Sequence, residues 1–306
     1  MQLIFPVPPE ADGTLLRSFL RRCAVSTELA RAVKFHGGGF FADGEPILAN
    51  RPVRAGQQIA FALPEDGPGV EPQPEIPVQA VYEDAFALVL EKPPHLAVHP
   101  TLNYPRDTLA NGYAARAAAR GTSPVFRPVN RIDKDTSGLV LAAANGYAAP
   151  LLAGNVEKLY YAVVEGELPL GPGVIDAPIG RRGDSIIGRC VTPEGKPSRT
   201  EYTILKAENG LSLAACIPVT GRTHQIRVHF ASLGHPLAGD DLYGGSRERI
   251  GRQALHCAEQ TFCIPACTKT AEGVVIDVTA PARKMTVKSP LPADMVALFG
   301  GNLEFS

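Results

Sequence analysis

The chain has 306 residues, of which 45% are hydrophobic and 20% charged, with a formal net charge of −1. That length and apolar content suffice for a large buried core, point to two domains or one with an appendage, and exclude a disordered chain. The near-neutral balance excludes a uniformly basic surface, so a nucleic-acid partner would have to be held by a local cationic groove.

The first residues, Met1-Gln2-Leu3-Ile4-Phe5-Pro6, lack the cationic and long apolar regions of a secretion signal. No apolar stretch approaches the roughly 20 residues needed to span a bilayer, so the expectation is a cytoplasmic protein with no membrane partner. Thr14 is placed to cap a helix whose apolar face is Leu15, Leu16, Phe19 and Leu20, with Arg17, Arg21 and Arg22 largely off that face. Ser26 is placed to cap a second helix running to about Lys34, and Gly37-Gly38-Gly39 ends it. Phe40-Phe41-Ala42 and Glu45-Pro46-Ile47-Leu48 flank an Asp43-Gly44 turn, and Ile59, Phe61 and Leu63 alternate with alanines as a strand. Basic helices ahead of a glycine-rich turn and a final strand resemble the small RNA-binding module of ribosomal protein S-four and of many RNA-modifying enzymes. The resemblance implies an N-terminal α/β RNA-binding module over residues 1–63, with Arg17, Arg21, Arg31 and Lys34 as phosphate contacts. The plain alternative is an accessory domain with solvated arginines.

Residues 64–76 are acidic and proline-rich, and read as an extended, solvated linker. Beyond it, 78–84 and 87–90 read as strands around an Asp-containing turn, and the alanine-rich stretch from Thr108 to Arg120 as a helix. Leu139–Ala143 reads as a buried strand, and 160–164, 198–205, 211–216 and 274–278 as further strands. The expected class is α+β, with a large, mixed, mainly antiparallel sheet in a domain spanning residues 77–306. The six cysteines form no C-x-x-C pair and read as small buried hydrophobes; a structural zinc on His256, Cys257, Cys263 and Cys267 is the minor alternative.

Two clusters carry chemistry. Asn130-Arg131-Ile132-Asp133-Lys134-Asp135-Thr136-Ser137-Gly138 places a carboxylate, flanking cations and a turn ahead of an apolar strand. Far downstream, Thr220-Gly221-Arg222-Thr223-His224-Gln225-Ile226-Arg227-Val228-His229 supplies guanidinium groups that only folding could bring to those carboxylates. Taken singly, Asp133 could pair with Arg131, Tyr160 could be core, and Arg222 and Arg227 could be surface residues of a strand. His224, His229 and His235 read as hydrogen-bonding supports for loops, since no carboxylate or cysteine recurs with them at a ligand spacing.

In order, Glu91-Lys92-Pro93 with Val98-His99-Pro100, Arg131-Ile132-Asp133 with Thr136-Ser137-Gly138, Lys158-Leu159-Tyr160, Gly195-Lys196-Pro197, residues 220–229, Gly234-His235-Pro236 and Gly239-Asp240 through Tyr243-Gly244 resemble the blocks of the RluA class of pseudouridine synthases. The likeness covers nearly all of 77–300. It implies the pseudouridine synthase fold, RNA (ribosomal or transfer) as partner, no cofactor and no metal, and a monomer. It also implies that Asp133 is the nucleophile, that Tyr160 stacks on the uracil and takes the carbon-5 proton, that Arg227 pairs with Asp133, and that Arg131 fills the space of a flipped nucleotide. Thr136, Arg222 and His224 join Arg131 as substrate-binding positions. These roles are chemically coherent. Turning uridine into pseudouridine breaks a glycosidic bond and rejoins the sugar through carbon, which asks for a carboxylate nucleophile, a cation to keep it ionised and a flat aromatic surface.

Two features depart from the class pattern. Asn130 stands where the class has histidine, which keeps a donor and an acceptor for fixing a loop but no ionisable ring. The segment 145–156 is short and apolar where the class carries a longer charged helix. Two rivals remain at this stage: a non-catalytic RNA-binding or ribosome-assembly protein on the same fold, and a glycosidase-like hydrolase, which would need a second acid such as Asp240 or Asp241.

Overall fold

The computed structural model describes residues 1–301 except 155, 184 and 186. The chain opens with strand β1 (Gln2–Pro6), then helices α1 (Leu16–Arg22) and α2 (Thr27–His36), and strands β2 (Phe40–Ala42), β3 (Glu45–Ile47) and β4 (Gln58–Ala62). Leu16, Phe19 and Leu20 bury the inner face of α1, and Leu29 and Val33 that of α2. Ser26 caps α2, its Oγ accepting from the Leu29 N–H at 3.1 Å, an interaction of about 1 kcal/mol. Thr14 does not cap α1: its hydroxyl donates to the Ala11 carbonyl at 2.7 Å, within the turn that follows Pro9, and the extended Leu15 stands at the cap position. The β2–β3 hairpin turns at Asp43 and Gly44, both with positive φ, as the right-handed strand twist favours in a two-residue loop.

These elements do not close their own sheet. Strands β16 (Cys267–Lys269) and β17 (Val274–Ile276), from the far end of the chain, extend it to six strands in the order β16-β17-β1-β4-β2-β3. The β1–β17 pair is parallel, Leu3 opposite Val274. The face under α1 and α2 continues into the rest of the molecule, where the Phe5 ring meets Tyr147 edge-on at 5.7 Å and the Tyr147 hydroxyl donates to the Cys23 carbonyl at 2.9 Å.

Residues 64–76 have no regular structure, as their prolines dictate, but they are tied down along the neighbouring domain. Asp66 pairs with Arg127, and the Glu71 carbonyl accepts from the Asn111 side chain at 2.9 Å. The run is therefore a strap lying on α3 (Leu109–Ala119) rather than a free linker.

The larger region holds β5 (Gln79–Glu83), β6 (Ala87–Lys92), β7 (Arg127–Pro128), β8 (Ser137–Ala143), α4 (Ala148–Ala153), β9 (Val156–Glu165) and β10 (Gly171–Asp176). It continues through a small two-stranded arm, β11 (Ile179–Arg181) and β12 (Arg189–Val191), to β13 (Arg199–Glu208), β14 (Leu211–Pro218), α5 (Gln225–Ser232), β15 (Leu255–Ile264), β18 (Arg283–Lys288) and α6 (Ala293–Ala297). Ten strands form one sheet, β10-β13-β14-β9-β15-β8-β6-β5, with β18 on β15 and β7 on β8. Among the described residues only β8 and β15 run parallel in it, so the fold is the α+β arrangement with a large, mixed, mainly antiparallel sheet. All seven residues of β8 are buried, the pattern of a strand covered on both faces. The apolar segment 145–156 contains the short helix α4; its residue 155, like 302–306 at the chain end, lies outside the described residues. Residues 225–232 are helical, so Arg227 sits on a helix and not on a strand.

Candidate active site

The nine-residue motif forms the loop that leads into β8, and buried polar groups clamp it from below. Asn130 is buried; its Oδ1 accepts from the Leu141 N–H at 2.7 Å and its Nδ2 donates to the Leu139 carbonyl at 3.5 Å, so the amide fixes the loop against β8. The Thr136 N–H closes a turn onto the Asp133 carbonyl at 3.1 Å. Lys92, fully buried at the end of β6, donates from Nζ to the Pro93 and Lys134 carbonyls at 2.7 and 2.9 Å. Burial pulls the Lys92 ammonium down to about 7, against the opposing pull of Asp135 and Asp133. Gly138 is required where β8 meets β15: its φ is +107°, and a Cβ there would lie 2.3 Å from the Cys257 carbonyl oxygen.

The loop places Asp133 over α5. Arg227 donates from Nη1 to Asp133 Oδ2 at 2.8 Å, and from Nε and Nη2 to Asp240 Oδ2 and Oδ1 at 2.7 and 2.8 Å. Asp240, 1% exposed, thus holds the guanidinium plane bidentately and leaves one nitrogen for Asp133. Burial works against the Arg227 charge, but Asp240 and Asp133 more than offset it and raise its pKa. The Tyr243 ring packs 5.0 Å from the guanidinium carbon. Asp133 is half-buried, and its other oxygen, Oδ1, lies 3.9 Å from His224 Nε2.

A cleft of about 590 Å³ opens over this carboxylate, lined by Asp133, Tyr160, His224 and Arg227, with Arg131 and Arg222 also on its wall. Tyr160 reaches it from β9, where it stands opposite Cys216 on β14 and Cys257 on β15. Burial first, then Cys257 and the Asp133 charge, push the Tyr160 phenol well above its ordinary range, so its resting form is the neutral hydroxyl. Arg131 is exposed, and Arg222 is exposed with its Nε donating to the Pro197 carbonyl at 3.3 Å. Both guanidinium groups are available to an anionic ligand entering the cleft. Thr136 also lines the cleft but is 1% exposed, and its hydroxyl accepts from Gln253 Nε2 at 3.2 Å, a bond that supports the loop.

Arg17, Arg21, Arg31 and Lys34 are all exposed, on α1 and α2, and none lines the cleft. His229 bonds Thr200 and the Ala177 carbonyl, and His235 the Glu165 carbonyl, as supports of the fold. His256 lies between Ser137 and Ser289 at 2.9 and 3.0 Å. Among the described residues no group of three or more His, Cys, Asp or Glu side chains is arranged to hold a metal. Tyr243 and Lys92 received no role from the sequence beyond membership of their motif blocks, and Asp240 only that of a possible second acid in the hydrolase reading. Their signal was the Gly-Asp and Tyr-Gly spacing, which marks a tight turn but does not say what the turn faces.

The fold is that of the pseudouridine synthases. The chain belongs to the RNA pseudouridylate synthase family, whose model matches residues 87–232, and it is accordingly an RNA-modifying isomerase. It is 35% identical over 295 residues to an uncharacterised RNA pseudouridine synthase of Bacillus subtilis, covering 94% of this chain and 98% of the relative. It is 34% identical over 267 residues to the ribosomal large subunit pseudouridine synthase D of Pseudomonas aeruginosa, covering 85% and 83%. Among solved structures, human RNA pseudouridylate synthase domain containing 1 aligns over 74% of this chain and 90% of its own at 26% identity, with a TM-score of 0.56. Among the described residues, no helix is long and apolar enough to cross a membrane.

Proposed function

We propose that the enzyme isomerises specific uridines of structured RNA to pseudouridine with Asp133 as the nucleophile, acting on a nucleotide flipped out of its helix into the cleft. The observation that carries this reading is the division of labour at Asp133: Arg227 holds Oδ2, Asp240 holds Arg227, and Oδ1 is left facing the cleft beside Tyr160. Attack by Oδ1 on the flipped nucleoside forms an ester bond while the N1–C1′ bond breaks; rejoining through C5 releases the carboxylate, and the C5 proton leaves as N1 gains one. Atoms balance with no redox step. Tyr160 stacks on the uracil and handles the C5 proton. Because burial keeps its phenol protonated, the hydroxyl can receive the C5 proton only as it gives up its own, which ends, through solvent, on N1, the atom that gains one. Arg131, exposed on the cleft wall, fills the gap left by the flipped base, and Arg222 takes a phosphate.

A hydrolase reading is disfavoured by Asp240, which is buried and locked on Arg227, and by Asp241, which pairs outside with Arg247. The name of the Pseudomonas relative makes ribosomal RNA the first substrate to test. Pseudouridine is mapped across the transcriptome of a strain lacking the gene, with rescue by the wild type and by Asp133→Asn. Loss of one or a few sites, restored only by the wild type, is expected; restoration by Asp133→Asn would remove the nucleophile assignment.

A further inference from the structure

Among the described residues, the hydroxyl of Tyr243 has two polar neighbours: the Arg189 backbone nitrogen, on the β11–β12 arm, at 3.0 Å, and His224 Nδ1 at 2.8 Å. A phenol carries one hydrogen, and a backbone N–H can only donate. The Tyr243 oxygen therefore accepts from Arg189; it could accept from His224 Nδ1 as well, but among the described residues only donation to that nitrogen gives the phenolic hydrogen a partner. That nitrogen must then be bare, so the single proton of a neutral imidazole lies on Nε2, the nitrogen 3.9 Å from Asp133 Oδ1. The opposite tautomer would leave the Tyr243 hydrogen without this partner and turn a lone pair toward the carboxylate. His224 holds its place at the head of α5 in a left-handed backbone conformation, φ +57°, that points the ring back over the cleft.

We propose that Tyr243 and His224 form a relay that locks the imidazole as its Nε2–H tautomer and directs that N–H at Asp133 Oδ1, the oxygen that Arg227 leaves free, so that both act as positioning residues for the nucleophile. The inference rests on the reading of Asp133 as nucleophile. At 3.9 Å the N–H is beyond hydrogen-bond range, and it acts as an oriented dipole that sets the rotation of the carboxylate until substrate closes the gap. Burial lowers the His224 pKa against the pull of Asp133, which keeps the ring neutral; Arg227, Asp240 and Arg189 are the other charges that face it. The relay also ties the arm to the reaction centre, since Arg189 supplies its first donor.

Two measurements on the full-length protein test this. In 15N-histidine-labelled enzyme, with the His224 signals assigned by their loss in His224→Gln, the wild type is expected to show a bare Nδ1 and a protonated Nε2. Tyr243→Phe, which keeps the ring against Arg227 and removes the hydroxyl, is expected to admit the second tautomer. Single-turnover conversion of total RNA from a strain lacking the gene should slow by roughly 10- to 100-fold in Tyr243→Phe with RNA binding little changed. His224→Gln, whose amide can still offer a donor near the Nε2 position, should retain more activity than His224→Leu, and adding Tyr243→Phe to His224→Gln should cost nothing further. A protonated Nδ1 in the wild type, or additive losses in the double variant, would overturn the relay. Absence of any pseudouridine formed by the wild type would instead count against the proposed function, and the tautomer measurement would still decide the relay.

Discussion

The proposed reaction centre brings together two carboxylates and one guanidinium, with Arg227 and Asp240 buried and Asp133 half-buried at the cleft. Arg227 is 6% exposed and Asp240 1%, so removing Asp240 would leave a buried cation with one partner, a change that costs about 3–5 kcal/mol in other proteins. Lys92 lies under the same loop with its charge only partly compensated. Its pKa of about 7 in the folded protein falls below the 10.5 of an unperturbed lysine, so above pH 7 the unfolded chain binds the extra proton. Stability contributed through this group therefore rises with pH between about 7 and 10.5, by up to about 1.4 kcal/mol per unit. Urea melts at several pH values in that window should show the wild type gaining on Lys92→Met as pH rises; parallel curves would mean that Lys92 does not give up its proton near neutral pH in the way its burial implies. That Asp133, Tyr160 and Arg227 would meet was an expectation carried by the family resemblance of their motif blocks, since taken singly each had a plainer reading, and the three do line one cleft. The parts played by Lys92, Asp240 and Tyr243 were not legible, because what they do depends on contacts between segments 40 or more residues apart in sequence or on a turn whose facing cannot be read from its glycines.

At the scale of elements, the decisive junction is the parallel pairing of β8 with β15, which puts the Asp133 loop over α5 and Tyr160 beside both. Gly138 makes that approach possible. Gly138→Ala adds a Cβ where the Cys257 carbonyl already stands and forces a side chain into a positive-φ backbone, so the variant should lose several degrees of thermal stability, and with it the alignment of Asp133. An unchanged melting temperature would show that the two strands have room to separate. The alternation and caps in the sequence located α1, α3 and α2 with its Ser26 cap, and strands such as β6, β8, β9, β13 and β14, but not α5, α6 or β15. They misplaced Arg227 on a strand, since Gln225-Ile226-Arg227-Val228-His229 is β-branched and alternating, and only packing of Ile226, Val228 and Phe230 makes it a helix. Thr14 failed as a cap because the helix begins one residue later than its pattern suggests, with Leu15 at the cap position.

For the whole molecule, the N-terminal six-stranded sheet is completed by β16 and β17, so the first 63 residues and the end of the chain share one sheet. No local pattern announces such pairing: a strand of three residues is legible, but its partner 271 positions away is not. The average charge of −1 hides a contrast between the acidic strap and the arginines of the first 54 residues. Arg17, Arg21, Arg31 and Lys34 are exposed together on α1 and α2, away from the cleft, and are proposed to hold RNA through its phosphates alone. Replacing all four with alanine should weaken RNA binding, flatten its salt dependence by up to about 0.7–0.9 in log–log slope for each phosphate no longer neutralised, and leave the rate of bound substrate unchanged. A salt slope equal to that of the wild type would place the RNA elsewhere. The central claim concerns one oxygen atom, and it is tested most directly by single-turnover conversion of RNA from a strain lacking the gene, comparing purified wild type with Asp133→Asn. The substitution keeps the shape of the side chain and removes its nucleophilic charge, so pseudouridine formation should vanish while RNA affinity stays within a few-fold; conversion by Asp133→Asn at a rate near the wild type would contradict the account.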